Sequence, residues 1–311
     1  MANAADERQA SNSALLVRPA SFGFNPETAT TNAFASGVES GDVSQAALAE
    51  FESVVRRLSE AGIEVLVLDD LPDPPKPDAI FPNNWVSFHA DGTMVLYPME
   101  SPTRQRERQA ERLRALLEER GFQISRTVDL SHHERHGRFL EGTGSLILDR
   151  PERRAFASFS PRTDPHVIAD FDDRLDYSTL LFDAHDRSGR PIYHTNVLLS
   201  LGTRFAVLCS EALTDEYRPV LIDEIEASGR TVIDVDFDQL RNFACNLIEL
   251  ENGGGEPLIA ISSAAIASLR PDQQQRLESF GELIAFDVPT IERVGGGSIR
   301  CMIADIHLPR A

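Results

Sequence analysis

The chain carries three side chains that together could perform nucleophilic catalysis: Glu141, His194 and Cys301. A cysteine thiolate attacks electrophilic carbon, an imidazole moves the proton, and a carboxylate bonded to the imidazole fixes its tautomer. A free thiol is only slightly ionised at neutral pH, so Cys301 needs local help to react. We predict Cys301 as the nucleophile, His194 as the general acid/base and Glu141 as the hydrogen-bond partner of His194.

A repeat in the sequence explains how residues so far apart could meet. Five polar clusters, each followed by strand-like apolar residues, recur roughly every 55 residues. Glycines that end helix-like, charge-rich segments recur with a similar period. We therefore predict five units of strand, strand, helix and strand around a common axis, with the polar clusters at its centre. The clusters lie at residues 83–85, 141–144, 194–196, 245–246 and 295–301.

Other residues that could do chemistry have simpler interpretations. Cys209 and Cys245 are interpreted as small buried apolar residues, the usual situation of a lone cysteine. His132, His133 and His136 lie in a charged connection and are interpreted as solvated, because no cysteine or carboxylate at a suitable spacing completes a metal site. We therefore expect no metal ion.

Composition and charge restrict the classes of partner. The 311 residues carry a net charge of −19, which disfavours both anionic membrane surfaces and nucleic acid, since binding phosphates requires a basic face. No apolar run approaches the ~18 residues of a membrane span. The three cysteines are odd in number and far apart, which indicates free thiols in a reducing cytoplasm. We expect a cytoplasmic protein without nucleic-acid or membrane partners, and the formation of a homo-oligomer stays open.

The chain length allows one large domain or two, and the repeat favours one. Residues 1–13 are polar and alanine-rich, without the basic region and apolar core of a secretion signal. They are interpreted as a flexible N-terminal tail. Residues 14–311 are predicted to form a single catalytic domain of class α/β.

Four motifs in a fixed order resemble those of a known superfamily. Pro-Asp-Ala-Ile-Phe-Pro-Asn-Asn-Trp at 77–85 is followed by Leu-Glu-Gly-Thr-Gly at 140–144, His-Thr-Asn at 194–196 and Gly-Gly-Ser-Ile-Arg-Cys at 296–301. They resemble the guanidine-modifying enzymes, which include arginine deiminase, dimethylarginine hydrolase and arginine:glycine amidinotransferase. The resemblance covers residues 14 to 308 and implies the five-bladed α/β propeller (pentein) of that superfamily. Within it, the motifs are most similar to the citrulline-hydrolysing branch.

The resemblance also implies how the amino-acid end of a substrate is held. Arg162, in Phe-Ser-Pro-Arg-Thr, resembles an arginine that binds the substrate α-carboxylate. Arg104 or Arg106 fits the same role because a guanidinium fork matches a carboxylate bidentately, although charges in such a helix are usually solvated. Phe24 lies in a loop rich in Asn, Thr and Phe, which we expect to close over this end of the substrate.

Two amides distinguish this chain from guanidine hydrolases. Asn84 in the substrate loop and Asn196 after the histidine stand where those enzymes commonly have carboxylates. An amide donates and accepts hydrogen bonds, which suits a neutral ureido group, whereas guanidinium offers donors alone. We therefore expect a ureido substrate such as citrulline, with Asp78 and Asn83 also beside its planar group. The simpler interpretation is that Asn83 and Asn84 suit a tight turn.

The predicted reaction is hydrolysis of citrulline through an S-carbamoyl intermediate on Cys301, giving ornithine, carbon dioxide and ammonia. It requires neither a metal nor an organic cofactor. An arginine or methylarginine hydrolase, or an amidinotransferase, would use the same thiol on a guanidino substrate. A non-enzymatic binding protein on this fold is a further alternative, which the presence of Cys301, His194 and Glu141 together disfavours.

Overall fold

Five small sheets form the framework of an α/β fold. The computed structural model of the protein describes residues 7–37 and 42–310. Its strands are β1 (Ser13–Arg18), β2 (Glu64–Asp69), β3 (Val86–Phe88), β4 (Thr93–Leu96), β5 (Arg126–Asp129), β6 (Ile147–Asp149), β7 (Arg154–Ser158), β8 (Ser178–Phe182), β9 (Leu199–Leu201), β10 (Phe205–Leu208), β11 (Thr231–Asp234), β12 (Ile248–Glu251), β13 (Pro257–Ser262), β14 (Glu282–Phe286) and β15 (Ala304–Asp305).

Each sheet has three strands, and all five follow one pattern. The orders are β15-β1-β2, β3-β4-β5, β6-β7-β8, β9-β10-β11 and β12-β13-β14. In every sheet the middle strand pairs antiparallel with one neighbour and parallel with the other. The C-terminal strand β15 completes the sheet that begins with β1, so the two ends of the chain meet in one unit. The five predicted units are thus present.

At least one helix connects the middle strand of each sheet to its parallel neighbour, as a parallel pair requires a crossover. α1 is amphipathic: Ala47, Phe51, Val54 and Leu58 recur at helical spacing and are buried. The crossover helices are α1 (Val43–Glu60), α2 (Pro102–Gln105), α3 (Ala110–Glu119), α5 (Pro165–Leu175), α6 (Tyr217–Ala227), α8 (Ser263–Ser268) and α9 (Pro271–Glu278), and the others are α4 (Gly142–Ser145), α7 (Phe237–Arg241) and α10 (Ile299–Met302).

Two local features differ from the sequence pattern. The charged segment 104–120 reads as one helix, but it is divided into α2 and α3, and the break allows Arg104 and Glu107 to turn inward and be buried. The unit around α5 lacks the glycine that ends the other helices. Asp176 takes that place with a left-handed φ of 56°, a conformation that Asp adopts more readily than most residues.

The expectation of a flexible tail is corrected for residues 7–13, while residues 1–6 lie outside the described residues. Glu7 is buried and accepts a hydrogen bond from Arg150 Nη1 at 2.8 Å. Gln9 Nε2 donates to the carbonyl oxygen of Leu148 at 2.9 Å. This segment is polar because it pairs with buried polar groups. Among the described helices, none is both long and apolar enough to cross a membrane.

Candidate active site

Short helical turns, rather than strands, carry most of the polar clusters. A 3₁₀ turn at Pro82–Asn84 precedes β3, α4 precedes β6, a 3₁₀ turn at Thr195–Val197 precedes β9, and α10 precedes β15. Asn84 from the first turn, His194 just before the third and Cys301 from α10 line one cavity of about 20 Å³. The cavity is lined by Thr28, Asn32, Asp78, Phe81, Asn84, Arg104, Arg162, Tyr193, His194, Gly295, Gly296, Gly297 and Cys301.

The imidazole of His194 is bonded to Glu141, as the sequence predicts. Nε2 of His194 lies 2.8 Å from Oε2 of Glu141, and both residues are buried. Burial lowers the pKa of His194 to about 4, although the carboxylate of Glu141 opposes the shift. Burial would raise the pKa of Glu141, but Arg162 and the bond from His194 outweigh it and hold that pKa far below its usual value. His194 is therefore neutral at pH 7 beside an ionised carboxylate.

This bond determines which ring nitrogen of His194 can act as a base. An ionised carboxylate can only accept, so Nε2 carries the proton and Nδ1 carries the lone pair. Gly144 makes room for Nδ1: a first side-chain carbon at this position would lie 2.8 Å from Nδ1 and 2.5 Å from Nδ2 of Asn84. The Glu-Gly-Thr-Gly motif thus supplies both the carboxylate and the space for the imidazole.

The thiol of Cys301 receives two amide donors. Nδ2 of Asn196 lies 3.4 Å and Nδ2 of Asn246 lies 3.3 Å from Sγ. Both N–H groups can donate to the sulfur, and Sγ also lies 3.7 Å from Oδ1 of Asn246. Asn246 is held in place because its Oδ1 accepts from the backbone N of Arg300 at 3.2 Å. Two neutral amides therefore contact the sulfur of Cys301.

Cys301 lies on the short helix α10. The neighbouring Arg300 is directed to other groups: its guanidinium donates to the carbonyl oxygen of Ile303 at 2.8 Å and lies 3.4 Å from Asp305. Sequence reasoning identified Asn246 only as a marker of the fourth unit. Its place in the repeat was the signal that could have identified it as a site residue.

Arg104 is buried at the cavity, whereas Arg106 is exposed and does not line it. Arg104 binds Glu107 through Nε and Nη2, both at 3.0 Å, and donates from Nη1 to Oδ1 of Asn84 at 2.7 Å. The prediction of a binding role for Arg106 is therefore corrected: the end of α2 turns that side chain to solvent. Phe24 is likewise 37% exposed and outside the cavity lining.

Arg162 lies at the cavity, but its fork already has protein partners. Nη2 donates to the carbonyl oxygen of Thr28 at 2.9 Å, and Nε donates to Oγ1 of Thr31 at 3.0 Å. Nη1 faces Oε2 of Glu141 at 3.4 Å, and the guanidinium lies 5.0 Å from the ring centroid of Tyr193. Arg162 thus joins the loop at 28–31 to the carboxylate of Glu141.

Asp78 and the amides complete the polar surroundings of the cavity. Oδ2 of Asp78 accepts from Nδ2 of Asn25 at 2.8 Å and from Oγ1 of Thr28 at 3.2 Å, which fastens the same loop to the site. Nδ2 of Asn84 donates to Oδ1 of Asn83 at 3.0 Å. Two buried atoms, Oδ1 of Asn196 and Nδ2 of Asn83, have no hydrogen-bond partner in the described part of the chain. Buried polar atoms are rarely left unpaired, although neither residue is among those that line the cavity.

A larger cavity of about 590 Å³ lies elsewhere, lined by Phe34, Phe237, Phe243 and several arginines. It contains no cysteine or histidine, whereas the small cavity is lined by both Cys301 and His194 and is therefore the candidate active site. Within residues 7–37 and 42–310, the one group of three side chains that could hold a metal ion is His132, His133 and Asp170, which lies outside both cavities.

The α/β fold of five three-stranded sheets agrees with the guanidine-modifying superfamily, and the resemblance seen in the sequence is confirmed. The chain matches the family model described as "N,N dimethylarginine dimethylhydrolase, eukaryotic" over residues 18–308, and it belongs to that family. No curated protein is significantly similar to the chain in sequence.

Solved structures of similar fold come from related enzymes. The N-terminal domain of ArgZ, an arginine dihydrolase from the ornithine-ammonia cycle in cyanobacteria, is 17% identical with a TM-score of 0.69, covering 94% of this chain and 96% of that chain. AgrE in complex with ornithine and NAD⁺ is 17% identical with a TM-score of 0.72, covering 96% of this chain and 40% of AgrE. SxtG, an amidinotransferase from Microseira wollei in the saxitoxin biosynthetic pathway, is 11% identical with a TM-score of 0.71, covering 98% and 96%.

At these identities the structural similarity establishes the fold. The chain spans 41% of the length of the full ArgZ chain. The match to the family model adds membership of a family described by its activity on dimethylarginine.

Proposed function

We propose that the protein is a cysteine-dependent hydrolase that converts citrulline to ornithine, carbon dioxide and ammonia. The observation that carries this proposal is the amide pair at the reacting end of the site, Asn84 and Asn196. A neutral ureido group presents one oxygen and several N–H groups, and an amide can bind both kinds of atom. Support comes from Oδ1 of Asn196, a buried acceptor without a protein partner within the described ranges.

In the first half-reaction, Cys301 Sγ attacks the ureido carbon and Nδ1 of His194 takes the thiol proton. The C–N bond to the ornithine nitrogen breaks, and that nitrogen leaves with the proton from His194. The products are ornithine and an S-carbamoyl thioester on Cys301. Glu141 contributes by stabilising the imidazolium that forms transiently, since it accepts from Nε2 at 2.8 Å.

In the second half-reaction, His194 takes a proton from water while the water oxygen attacks the carbamoyl carbon. The C–S bond breaks, Cys301 regains its proton, and carbamic acid leaves and decomposes to carbon dioxide and ammonia. Asn84, Asn196 and Asp78 hold the planar group in both halves. Support for a covalent step comes from ArgZ, one variant of which is described as covalently bound to a reaction intermediate.

We assign the α-carboxylate of the substrate to Arg162, assisted by Arg104. Both guanidinium groups are buried at the cavity. Their forks currently bind protein groups, so substrate entry requires exchange of partners. The cavity of about 20 Å³ is also too small for an amino acid. Pockets that hold small-molecule ligands typically measure about 300–1,000 Å³. The loop that contains Asn25 and Thr28 has to leave Asp78 for citrulline to enter.

We further propose that the five units surround a common axis as one catalytic domain over residues 14–311. Support comes from the contacts between strands of successive units, β15 with β3, β6 with β9, and β9 with β12. Units arranged around a common axis would each contribute residues to one central cavity, and the cavity here is lined by residues from several units. A reducing cytoplasm suits the three free, buried cysteines, and the partner we expect is a small amino acid.

A guanidino substrate is the second candidate. The carboxylate of Asp78 lines the cavity and could bind a guanidinium cation. The solved structures of similar fold include an arginine dihydrolase and an amidinotransferase. Arginine, methylarginine or an amidino donor would then be attacked by the same thiol.

A substrate panel tests the proposal. The purified protein would be incubated with citrulline, arginine and methylarginines, with and without an acceptor amine, while ammonia and ornithine are measured. The Cys301→Ser variant serves as the background control. Preferred release of ornithine from citrulline supports the proposal. Preferred turnover of arginine or methylarginine, or formation of an amidino-transfer product, would replace it by the second candidate.

A further inference from the structure

Two imidazoles and a carboxylate meet on the surface, outside the active-site cavity. His132 and His133 lie on the 3₁₀ segment Ser131–His136, and Asp170 lies on α5. Nε2 of His133 is 2.9 Å and Nε2 of His132 is 3.7 Å from the same oxygen of Asp170. This corrects the sequence interpretation, which found no carboxylate at a suitable spacing, because Asp170 lies 37 residues from His133 along the chain.

The hydrogen bonds of His132 leave a lone pair facing a negative charge. Nδ1 of His132 lies 3.1 Å from the carbonyl oxygen of Asp129, which can only accept, so Nδ1 carries the proton. In the neutral ring, Nε2 then has a lone pair, and this lone pair faces Oδ2 of Asp170. At 3.7 Å these two atoms are too far apart to share a hydrogen bond, and an ion bound to both would lie between them.

The two rings lie side by side. Their centroids are 4.2 Å apart with an interplanar angle of 34°, so both rings can present Nε2 to one ion beside Asp170. Glu134, on the same segment, is not available as a ligand because Arg108 and the backbone N of Met99 bind its carboxylate.

We propose that His132, His133 and Asp170 form a binding site for a divalent transition-metal ion such as Zn²⁺. Each residue offers one ligand atom, and these atoms lie within 4.8 Å of one another. Tetrahedral zinc with ligands at about 2.0–2.1 Å has neighbouring ligand atoms about 3.3 Å apart. The two observed distances to Asp170, 2.9 and 3.7 Å, bracket that value. Two imidazoles with a carboxylate are a usual ligand set for zinc, with a fourth position left to water.

Outer contacts already orient two of the three ligands. The carbonyl oxygen of Asp129 fixes the tautomer of His132, and Nε of Arg174 lies 2.6 Å from the second oxygen of Asp170. Nδ1 of His133 is buried without a partner in the described residues, so the metal-bound tautomer leaves that N–H unpaired. This lowers the affinity by on the order of tenfold, and we expect exchangeable rather than permanent binding.

The site would join two segments that flank the active site. The 3₁₀ segment Ser131–His136 precedes Glu141 in the chain, and α5 follows Arg162. A bound ion would therefore fasten the segment leading to the catalytic carboxylate onto the helix after the carboxylate-binding arginine. We expect it to stabilise the folded protein without contacting the substrate, since ligands that bind only the folded state raise stability.

The test uses Zn²⁺ alone on chelator-treated full-length protein that carries Cys301→Ser, so that the active-site thiol cannot bind the ion. Calorimetric titration is compared for that protein and for the added changes His132→Gln and Asp170→Asn. The added change His136→Gln is the matched control, because His136 lies on the same 3₁₀ segment but outside the cluster. Thermal unfolding with and without Zn²⁺ gives a second readout, and far-UV circular dichroism confirms that each variant is folded.

We expect one equivalent of Zn²⁺ and a rise in Tm for the parent and for the His136→Gln protein. His132→Gln and Asp170→Asn should each weaken binding at least about tenfold and reduce the rise in Tm. Unchanged binding in both ligand variants, equal loss in the His136→Gln control, or no binding by the parent at millimolar Zn²⁺ would each overturn the proposal.

Discussion

Nε2 of His194 and Oε2 of Glu141 lie 2.8 Å apart, and this contact joins the third unit of the chain to the second. The bond fixes the tautomer of the ring: Nε2 carries the proton, and Nδ1 is free to act as the base. It also opposes the effect of burial, which nevertheless keeps the pKa of His194 at about 4. The pair is therefore ready to accept the proton of the thiol rather than to donate one.

The first prediction concerns the pH dependence that follows from this pKa. His194 must be neutral to accept a proton, and with a pKa of about 4 it stays neutral as the pH falls to 5. At pH 5 about nine-tenths of such a group is neutral, compared with a few per cent of an ordinary imidazole. We therefore expect kcat/KM on the preferred substrate to begin its fall on the acid side only below pH 5. The measurement is made over the pH range in which circular dichroism shows a folded protein.

An acid limb near the ordinary histidine value of about 6.5 would contradict this prediction. His166, an exposed histidine, is the matched control. His166→Gln should leave the profile unchanged, whereas His194→Gln should remove activity at every pH.

The second prediction is that Cys301→Ser lowers turnover by at least about 10³-fold, because an alcohol is far less ionised than a thiol at neutral pH. The matched control is Cys209→Ala, which removes a buried thiol outside the cavity and should retain activity. The measurement is kcat on purified, folded proteins. Substantial activity in the serine variant, or a substrate-derived adduct on Cys209 or Cys245, would exclude Cys301 as the nucleophile.

The third prediction assigns a positioning role to Asn246. Asn246→Ala removes the donor at 3.3 Å from Sγ and should lower kcat by roughly 10–100-fold, since hydrogen bonds to charged groups are worth about 1.5–3 kcal/mol. Alkylation of Cys301 by iodoacetamide at neutral pH should slow in parallel, because the thiolate loses a stabilising contact. Asn242→Ala, which changes an exposed amide on the preceding turn, should alter neither rate. If Asn246→Ala lowers kcat but leaves alkylation unchanged, the amide does not act on the thiol.

The repeat was visible in the sequence because it depends on local signals. Polar clusters, apolar strands and helix-ending glycines predict five units, and the structure contains five matching sheets. The pairing of His194 with Glu141 followed from residue types with a known chemical relationship. Asp176 shows the limit of such signals: it ends α5 in the left-handed conformation, a role that the sequence pattern reserves for glycine.

Other parts of the site depend on contacts between distant segments. Arg104 and Arg106 are equivalent in a helical pattern, and only the break between α2 and α3 buries one and exposes the other. Asn246 becomes a site residue because α10 brings Cys301 to it from 55 residues away. The repeat places Asn246 in a central cluster, but neither the break between α2 and α3 nor the contact of Asn246 with Cys301 has a local cause that the sequence reveals.

The fourth prediction concerns Arg162. Arg162→Lys keeps the positive charge beside Glu141 but loses the planar fork. The variant therefore tests bidentate binding of the substrate carboxylate while the effect of the charge on Glu141 is retained. We expect kcat/KM on citrulline to fall, mostly because KM rises. The loss corresponds to about 2–4 kcal/mol of transition-state stabilisation. The comparison substrate is a citrulline analogue without the α-carboxylate, on which wild type and variant should differ little. An unchanged ratio between the two substrates would show that Arg162 does not bind the carboxylate.

The last prediction tests the amide pair, Asn84 and Asn196. Converting both to Asp places acceptors where the site now offers donors as well, which suits a guanidinium cation and excludes the ureido oxygen. In the wild type a guanidinium would lack a full carboxylate clamp, and leaving a buried charge poorly paired costs several kcal/mol. The wild type should therefore prefer citrulline to arginine.

The double variant should reverse or strongly reduce that preference, as measured by kcat/KM on both substrates. The single changes are informative in different ways, because Nδ2 of Asn196 also contacts Sγ of Cys301 at 3.4 Å. A carboxylate at position 196 would oppose the thiolate, so Asn196→Asp should lower kcat on both substrates. Asn84→Asp should mainly change selectivity, since Oδ1 of Asn84 already accepts from Arg104 and the Asp would retain that bond. If the wild type already prefers arginine, the amides do not select a ureido group, and the site is that of a guanidino hydrolase.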